Sequence, residues 1–401
     1  MSAHALGRCI NVADFRARAL RRMPRPITDF FDGGAEDERT MARNRAAFAD
    51  WSLVPTQMAD VSRVDAATTL MGQPVAWPFV VGPTGMPGLL HPAGEIGIAR
   101  AAAAVGSLYT LSTMASRSIE EVAAATDGPK AFQLYLFRDR GISRELIQRA
   151  RAAGYGALML TIDVQVPANR ERDRRSGMLI PPKFTPRTVF DFARHPRWCW
   201  DVLVRRPVTL ANFAGGRADP GVPLLSFIND QFDPTITWKD LEWVASEWGG
   251  PLGVKGVMAA EDAARAVASG ATTLIISNHG GRQLDGAAAP LDMLPRIAAR
   301  VGGQAELILD GGIRRGTDML KALALGAQGC MAGRIGLYGL AAGGGEGAAR
   351  ILAALRSEFD RDLALLGVTG LGGIDASRII RTGPAPLDTP PAVAPAMGRV
   401  A

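Results

Sequence analysis

The sequence predicts a (β/α)8 barrel with a helical lead-in and one long insertion, and three observations carry that expectation. Eight short apolar runs recur along the chain, mostly at the roughly 20–35 residue interval of one β-loop-α-loop unit. Their apolar character is continuous rather than alternating, as strands covered on both faces require. Amphipathic stretches that open on helix-start residues and close on glycine lie between them. Eight such units point to a closed barrel; an open doubly wound sheet is the alternative architecture.

In chain order the strand candidates are Pro78–Gly82, Ser107–Leu111, Ala131–Tyr135, Ala157–Thr161, Leu252–Lys255, Thr273–Ser277, Leu307–Asp310 and Gly329–Gly333. The helical candidates include Gly94–Val105, Ser118–Ala125, Ser143–Ala153, Glu261–Ser269 and Thr317–Leu325. Ser118 stands three residues before Glu121, a capping-box spacing, and Gly106, Gly154, Gly270 and Gly326 mark helix ends. The stretch before about Trp77 reads as a helical and irregular lead-in. No strand–helix unit is evident between Asp163 and Pro251, so a long insertion, about 171–235, follows the fourth strand. Residues 1–382 then form one domain, and 383–401, rich in Pro and Ala, read as a mobile tail.

Composition narrows the function classes. Of 401 residues, 47% are hydrophobic and 21% charged, ordinary for a globular chain that buries a sizeable core. The net charge of +6 is too small and too dispersed to indicate nucleic-acid binding. Three cysteines, Cys9, Cys199 and Cys330, have no metal-ligand spacing, so no metal site is expected and a reducing compartment is the default. No apolar run approaches the ~18 residues of a membrane span, and the first ten residues lack a secretory core. A cytoplasmic protein is expected.

In a barrel of this kind the C-terminal strand ends carry the chemistry. Those ends supply Pro83-Thr84-Gly85, Ser112, Gln133, Tyr135, Thr161, Asp163, Lys255, Ser277 through Arg282, Asp310 through Arg314, and Gly333-Arg334. Asp310-Gly311-Gly312 and Gly333-Arg334, after the last two strands, suit a phosphate cradle, where glycine admits backbone N–H groups and arginine supplies a charged fork. Turn glycines alone are the plainer reading. His279 sits in a polar cluster at a strand end, where an imidazole suits a general base, and Asp163 beside it would favour the protonated state that forms once it has taken a proton. Arg170 and Arg282 match a carboxylate in geometry and charge, although Arg170 also lies in a charged run that could pair with itself. Lys255, on an apolar strand, needs an anion or an electron-rich partner.

The run Ser277-Asn278-His279-Gly280-Gly281-Arg282-Gln283-Leu284-Asp285 resembles the active-site signature of the FMN-dependent 2-hydroxy-acid dehydrogenase/oxidase family, whose members include L-lactate and mandelate dehydrogenases and glycolate oxidase. The likeness continues through Gly33–Glu38, Gly82–Gly85, Phe132–Tyr135, Val254–Gly256, Leu309–Gly316 and Lys321–Ala327, in the same order. It implies FMN as cofactor, with Pro83, Thr84 and Gly85 against the ring. Ser112, Gln133, Thr161 and Lys255 would bond to it, with Ser277 among the cofactor contacts. Asp310, Gly311, Gly312, Arg314, Gly333 and Arg334 would hold the ribityl phosphate. His279 would be the base, oriented by Asp163. Arg170 and Arg282 would hold the substrate carboxylate, and Tyr135 the substrate hydroxyl or carbonyl oxygen. The implied reaction takes an L-2-hydroxy acid, lactate- or mandelate-like, to the 2-oxo acid and passes electrons to a quinone or other carrier. Oxygen as acceptor, a flavin-dependent isomerase and a non-catalytic FMN-binding barrel are the alternatives. A homotetramer is expected.

Three departures from the family pattern matter. Phe30 stands where the family usually has a tyrosine that donates to the substrate carboxylate. Met114 replaces a bulky aromatic of the glycolate oxidases, which suggests a more pliable pocket. Gly85 is the dehydrogenase type, where oxidases often carry alanine. The segment Ser176–Leu224 mixes Lys183, Arg187, Arg194, Arg197, Arg205, Arg206 and Arg217 with Phe and Trp, and His195–Trp198 resembles the loop that docks on the inner membrane in mandelate and lactate dehydrogenases. Contact with the inner face of the membrane is therefore expected, with an active-site lid or a subunit contact as the alternatives.

Overall fold

A computed structural model of the chain describes residues 6–178, 185–205, 208–213 and 230–383. Eight parallel strands close into a barrel: β1 (Phe79–Val81), β2 (Leu108–Ser112), β3 (Lys130–Leu134), β4 (Ala157–Thr161), β5 (Leu252–Val257), β6 (Thr273–Ile276), β7 (Glu306–Asp310) and β8 (Gly329–Ala332). Each pairs with the next in sequence, and β8 pairs back to β1. All eight expected strands are present, displaced by a few residues at their ends. Strands β2, β3 and β4 are buried at every position, as their unbroken apolar character requires.

The barrel helices are α1 (Gly94–Ala104), α2 (Ile119–Ala123), α3 (Arg140–Ala152), α4 (Trp238–Trp248), α5 (Ala260–Ala268), α6 (Pro290–Val301), α7 (Gly316–Ala324) and α8 (Arg334–Leu365). The capping box at α2 is formed: Ser118 and Glu121 each accept the other's backbone N–H. Helix α4 lies between Asp163 and Pro251, where the sequence shows no clear strand–helix unit. Its buried stripe is only Leu241, Val244 and Trp248, set among acidic residues and further tryptophans, so its period is faint in the sequence.

Two layers of core hold the barrel. Within the lumen, Val80, Leu108, Ala131, Ala157, Met159, Ile275, Ile308 and Met331 pack together. A hairpin of Thr68–Leu70 and Gln73–Val75 plugs its lower end with fully buried Leu70 and Met71. Outside, apolar faces of strands and helices merge with lead-in residues such as Phe15, Ile27 and Phe31. The lead-in is helical as expected, with Val12–Arg22, Arg25–Asp32 and Arg39–Ala46. Its end, Trp51–Leu53, pairs antiparallel with Ile379–Arg381, tying the beginning of the fold to its close. The polar end of the lumen is left open, and the second lead-in helix and the segment after β4 stand over it. Residues 384–401, nearly all of the expected tail, lie outside the described residues, as do Lys183, Arg206 and Arg217.

Candidate active site

Strand register sets the polar groups at one level of the barrel. Ser112 on β2 stands beside Gln133 on β3, and Thr161 on β4 beside Lys255 on β5. Ser112 donates to the Gln133 amide oxygen at 3.1 Å, and the Gln133 amide nitrogen donates to Thr161 at 3.0 Å. One hydrogen-bonded chain thus spans three strands. Buried Lys255 reaches across to Ser277 at 3.0 Å and to Asp310 at 3.2 Å, and Ser277 donates to the same Asp310 oxygen at 2.7 Å. Burial by itself would lower the Lys255 pKa, but Asp310, Asp163 and Tyr135 together raise it. The anion that this lysine needs is supplied by the protein.

After Lys255 the strand bulges at Gly256, whose φ of +111° belongs to glycine's range. A Cβ there would lie 2.7 Å from the Cβ of Asp163 and 2.8 Å from its Cγ. Asp163 occupies that space and accepts at Oδ1 from Nδ1 of His279, 2.9 Å away. Its other carboxylate oxygen is buried without a hydrogen-bond partner among the described residues. His279 itself has a left-handed φ of 59°, and its backbone N–H donates to Ser277. Burial pushes the His279 pKa below the ordinary imidazole value, and Asp163 opposes this without reversing it. Asp163 thus favours the protonated form, but burial outweighs it: with Nδ1–H on Asp163, the resting ring is neutral and Nε2 is an acceptor.

These groups open on a cavity of about 700 Å³. Its walls include Phe30, Pro83, Thr84, Gly85, Ser112, Met114, Tyr135, Thr161, Arg170, Lys255, His279, Arg282, Asp310, Gly311, Gly312, Arg314, Gly333 and Arg334. The sequence-predicted residues from all eight strand ends and the lead-in therefore converge. Gln133, Asp163 and Ser277 do not line the cavity; each stands one layer behind and holds a neighbour that does.

At the carboxylate end, Arg170 and Arg282 lie over the Phe30 ring, 5.3 and 5.7 Å from its centroid. Burial, and then the nearby Arg170 and Arg334, push the Arg282 pKa down to about 9. Its guanidinium donates to the Gly33 carbonyl, and among the described residues no carboxylate lies within ion-pair distance of it. Tyr135, in edge contact with Phe232, has its pKa pushed up to about 12 by burial and by Asp163, so its hydroxyl keeps its proton.

At the opposite end, Arg314 and Arg334 face the cavity, and neither forms an ion pair among the described residues. Arg314 donates to the Ile313 carbonyl and lies 5.8 Å from the Tyr338 ring centroid, while Arg334 donates to carbonyls of Gly33, Gly280 and Phe31. Two half-buried cations without an ion-paired acid among the described residues fit a ligand that brings negative charge, as a phosphate does. Gly312, at φ +82°, seals this end against the lead-in: a Cβ there would lie 1.9 Å from the Asn44 carbonyl oxygen. Asn44 also exchanges two hydrogen bonds with Asn278, at 2.7 and 2.8 Å. The residues present therefore fit FMN, with cations at the phosphate end and donors at the level of Ser112, Thr161 and Lys255.

The family model of the FMN-dependent dehydrogenases matches residues 19–381. The chain belongs to this family. As a member it is a flavoenzyme, an oxidoreductase acting on a CH–OH group, and FMN is its cofactor. This FMN-dependent dehydrogenase is 43% identical to the L-lactate dehydrogenase of Caulobacter sp. (strain K31), over 93% of this chain and 98% of that protein. It is 40% identical to the L-lactate oxidase of Nostoc sp. (strain PCC 7120), over 93% of this chain and 98% of the relative. Among solved structures it matches the monotopic membrane protein (S)-mandelate dehydrogenase with a TM-score of 0.90 at 38% identity, covering 93% of this chain and all of that one.

Several site residues escape a strand-end reading. Asn44 arrives from the lead-in; Asp173, Met178 and Phe232 arrive from the segment after β4. Only the charged run containing Asp173 carried a signal, and that run fits a solvated face equally well.

Proposed function

We propose that this dehydrogenase oxidises an L-2-hydroxy acid, lactate- or mandelate-like, to the 2-oxo acid. One observation carries the reading: His279 backed by Asp163, and the acid-free guanidinium of Arg282 with Arg170 beside it, face the same cavity whose far end holds Arg314 and Arg334. FMN, when bound, accepts the two electrons. Arg314, Arg334 and the backbone of Gly311, Gly312 and Gly333 would hold its phosphate. Asp310, a carboxylate, suits the ribityl hydroxyls rather than the phosphate itself. Ser112, Thr161 and Lys255 would bond the ring, with Pro83, Thr84 and Gly85 against its face. Gln133 and Ser277 fix the side chains in front of them.

Arg282 and Arg170 receive the substrate carboxylate as a charged fork. That fixes the hydroxyl near His279 and Tyr135. Neutral His279 takes one proton at Nε2, and the Asp163 carboxylate steadies the cation that results. Tyr135, still protonated, donates to the substrate oxygen as its carbonyl forms. The test is anaerobic addition of L-lactate, (S)-mandelate and longer 2-hydroxy acids to the purified yellow protein. Bleaching of the flavin by at least one of them is expected, and no bleaching by any refutes the reading.

Electrons then pass to a quinone or another carrier, a reading supported by Gly85, the dehydrogenase residue type. The likeness to an L-lactate oxidase favours oxygen as the second reading. Reoxidation rates with oxygen and with a soluble quinone separate the two. A peripheral position on the inner membrane face is supported by the monotopic neighbour and by an apolar surface: Phe190, Trp200 and Leu203 are 66%, 59% and 54% exposed, with Arg187, Arg194, Arg197 and Arg205 in the same segment. No helix among the described residues is long and apolar enough to cross a membrane. The family resemblance carries a homotetramer, which analytical ultracentrifugation tests.

A further inference from the structure

The cavity wall holds a buried carboxylate, Asp173, that the reaction above does not use. It is the third residue of the short helix Glu171–Ser176, whose N-cap is Arg170. Its Oδ2 lies 2.9 Å from Nε of Arg170, and only 7% of its side chain is exposed. The contact is an ion pair without a hydrogen bond, since Oδ2 has no hydrogen-bond partner among the described residues. With the nearest approach at Nε, the two terminal nitrogens of Arg170 stay available to fork a carboxylate. Arg170 is itself a third exposed, and its guanidinium lies 5.3 Å from the Phe30 ring centroid. Without an anchor, such a long side chain has alternative rotamers toward solvent, and ordering it on binding costs rotamer entropy. Phe30 adds weight to the anchor, because a phenyl ring has no hydroxyl to donate where the family has tyrosine. The guanidiniums carry the carboxylate without that help.

We infer that Asp173 is a positioning residue for substrate recognition, holding the Nε side of Arg170 by its charge so that the terminal nitrogens face the substrate carboxylate. The inference rests on the 2-hydroxy-acid reading. Two other arrangements would use the same residues differently. Asp173 could compete with the substrate for Arg170, or it could serve only the packing of its helix.

The experiment compares wild type with Asp173→Asn as FMN-loaded full-length proteins, using L-lactate, (S)-mandelate and the uncharged methyl ester of mandelate. Loss of the largely buried ion pair predicts a roughly tenfold rise in KM for the two acids. The limiting rate of flavin bleaching stays within twofold, and kcat/KM for the ester does not change. The affinity for oxalate, measured by calorimetry, falls with the acid KM. An unchanged or lowered acid KM overturns the inference, the lowered value indicating competition. A parallel loss for the ester, or loss of bound flavin, overturns it in favour of packing. Should Asp173→Asn not fold, Asp173→Glu keeps the charge but moves the carboxylate by one methylene, and must give the same selective rise in KM, an unchanged value overturning the inference. Wild-type flavin that no acid bleaches defeats the underlying reading instead, so the two failures are distinguishable.

Discussion

Replacing Asp163 by Asn keeps the volume beside Gly256 but removes the negative charge behind His279. Asp163 lies 2.9 Å from Nδ1, on the side of the ring away from the cavity. As Nε2 takes a proton, the ring becomes a cation facing that carboxylate. At an effective dielectric near 20, unit charges about 4 Å apart attract by ~4 kcal/mol. Positive Lys255 nearby already absorbs part of the Asp163 field, which leaves roughly 3 kcal/mol to lose, about a hundredfold in rate. That lies within the ~10²–10⁴ general acid–base range. The assay is anaerobic stopped-flow bleaching of the flavin at saturating substrate, followed against pH. The base works unprotonated, so the rate climbs with pH to a plateau, and the climb falls below the ordinary imidazole value of about 6.5 because burial lowers the His279 pKa. Asp163 raises that pKa relative to burial alone. Its loss therefore moves the acid limb to lower pH while dropping the plateau. A plateau within threefold of wild type, or an acid limb that moves up, refutes the role given to the pair.

Phe30→Tyr places a hydroxyl on a ring that lies under two guanidiniums; a several-fold lower KM for the acids is expected from steady-state kinetics, and no change removes Phe30 from substrate recognition. Gly312→Ala forces a Cβ to within 1.9 Å of the Asn44 carbonyl at a φ of +82°, so the purified variant should be depleted of flavin by absorbance, and a normally yellow protein refutes the tight seal. Arg314→Met removes one of two cations without an acid partner, and FMN affinity measured by fluorescence titration should fall by roughly 10–100-fold. Replacing Phe190, Trp200 and Leu203 together by Ser should abolish sedimentation with liposomes of inner-membrane composition while leaving flavin bleaching intact; unchanged sedimentation excludes this surface.

The barrel was legible because its strands are buried on both faces and their apolar runs are short, even and bounded. Local signals such as the Ser118–Glu121 box and the closing glycines needed no tertiary information. Strand-end residues were legible as site candidates for the same reason: polar side chains on an apolar strand have one place to be. Helix α4 was not legible, since its apolar stripe is too thin to stand out from its neighbours. Asn44 and Phe232 lie on segments whose sequence says nothing about where they return to the barrel.

By itself the sequence determined the eight-strand architecture, the family and the set of groups available to the chemistry, because periodicity and motif spacing are properties of the chain alone. Only the tertiary structure decided which of those groups face the cavity and in which charge state they rest. Gln133, Asp163 and Ser277 stand behind the wall, Asp310 answers Lys255, and His279 rests neutral in spite of its carboxylate. Those outcomes depend on burial and on distances of about 3 Å between residues far apart in the chain, and a linear sequence encodes neither until the barrel closes.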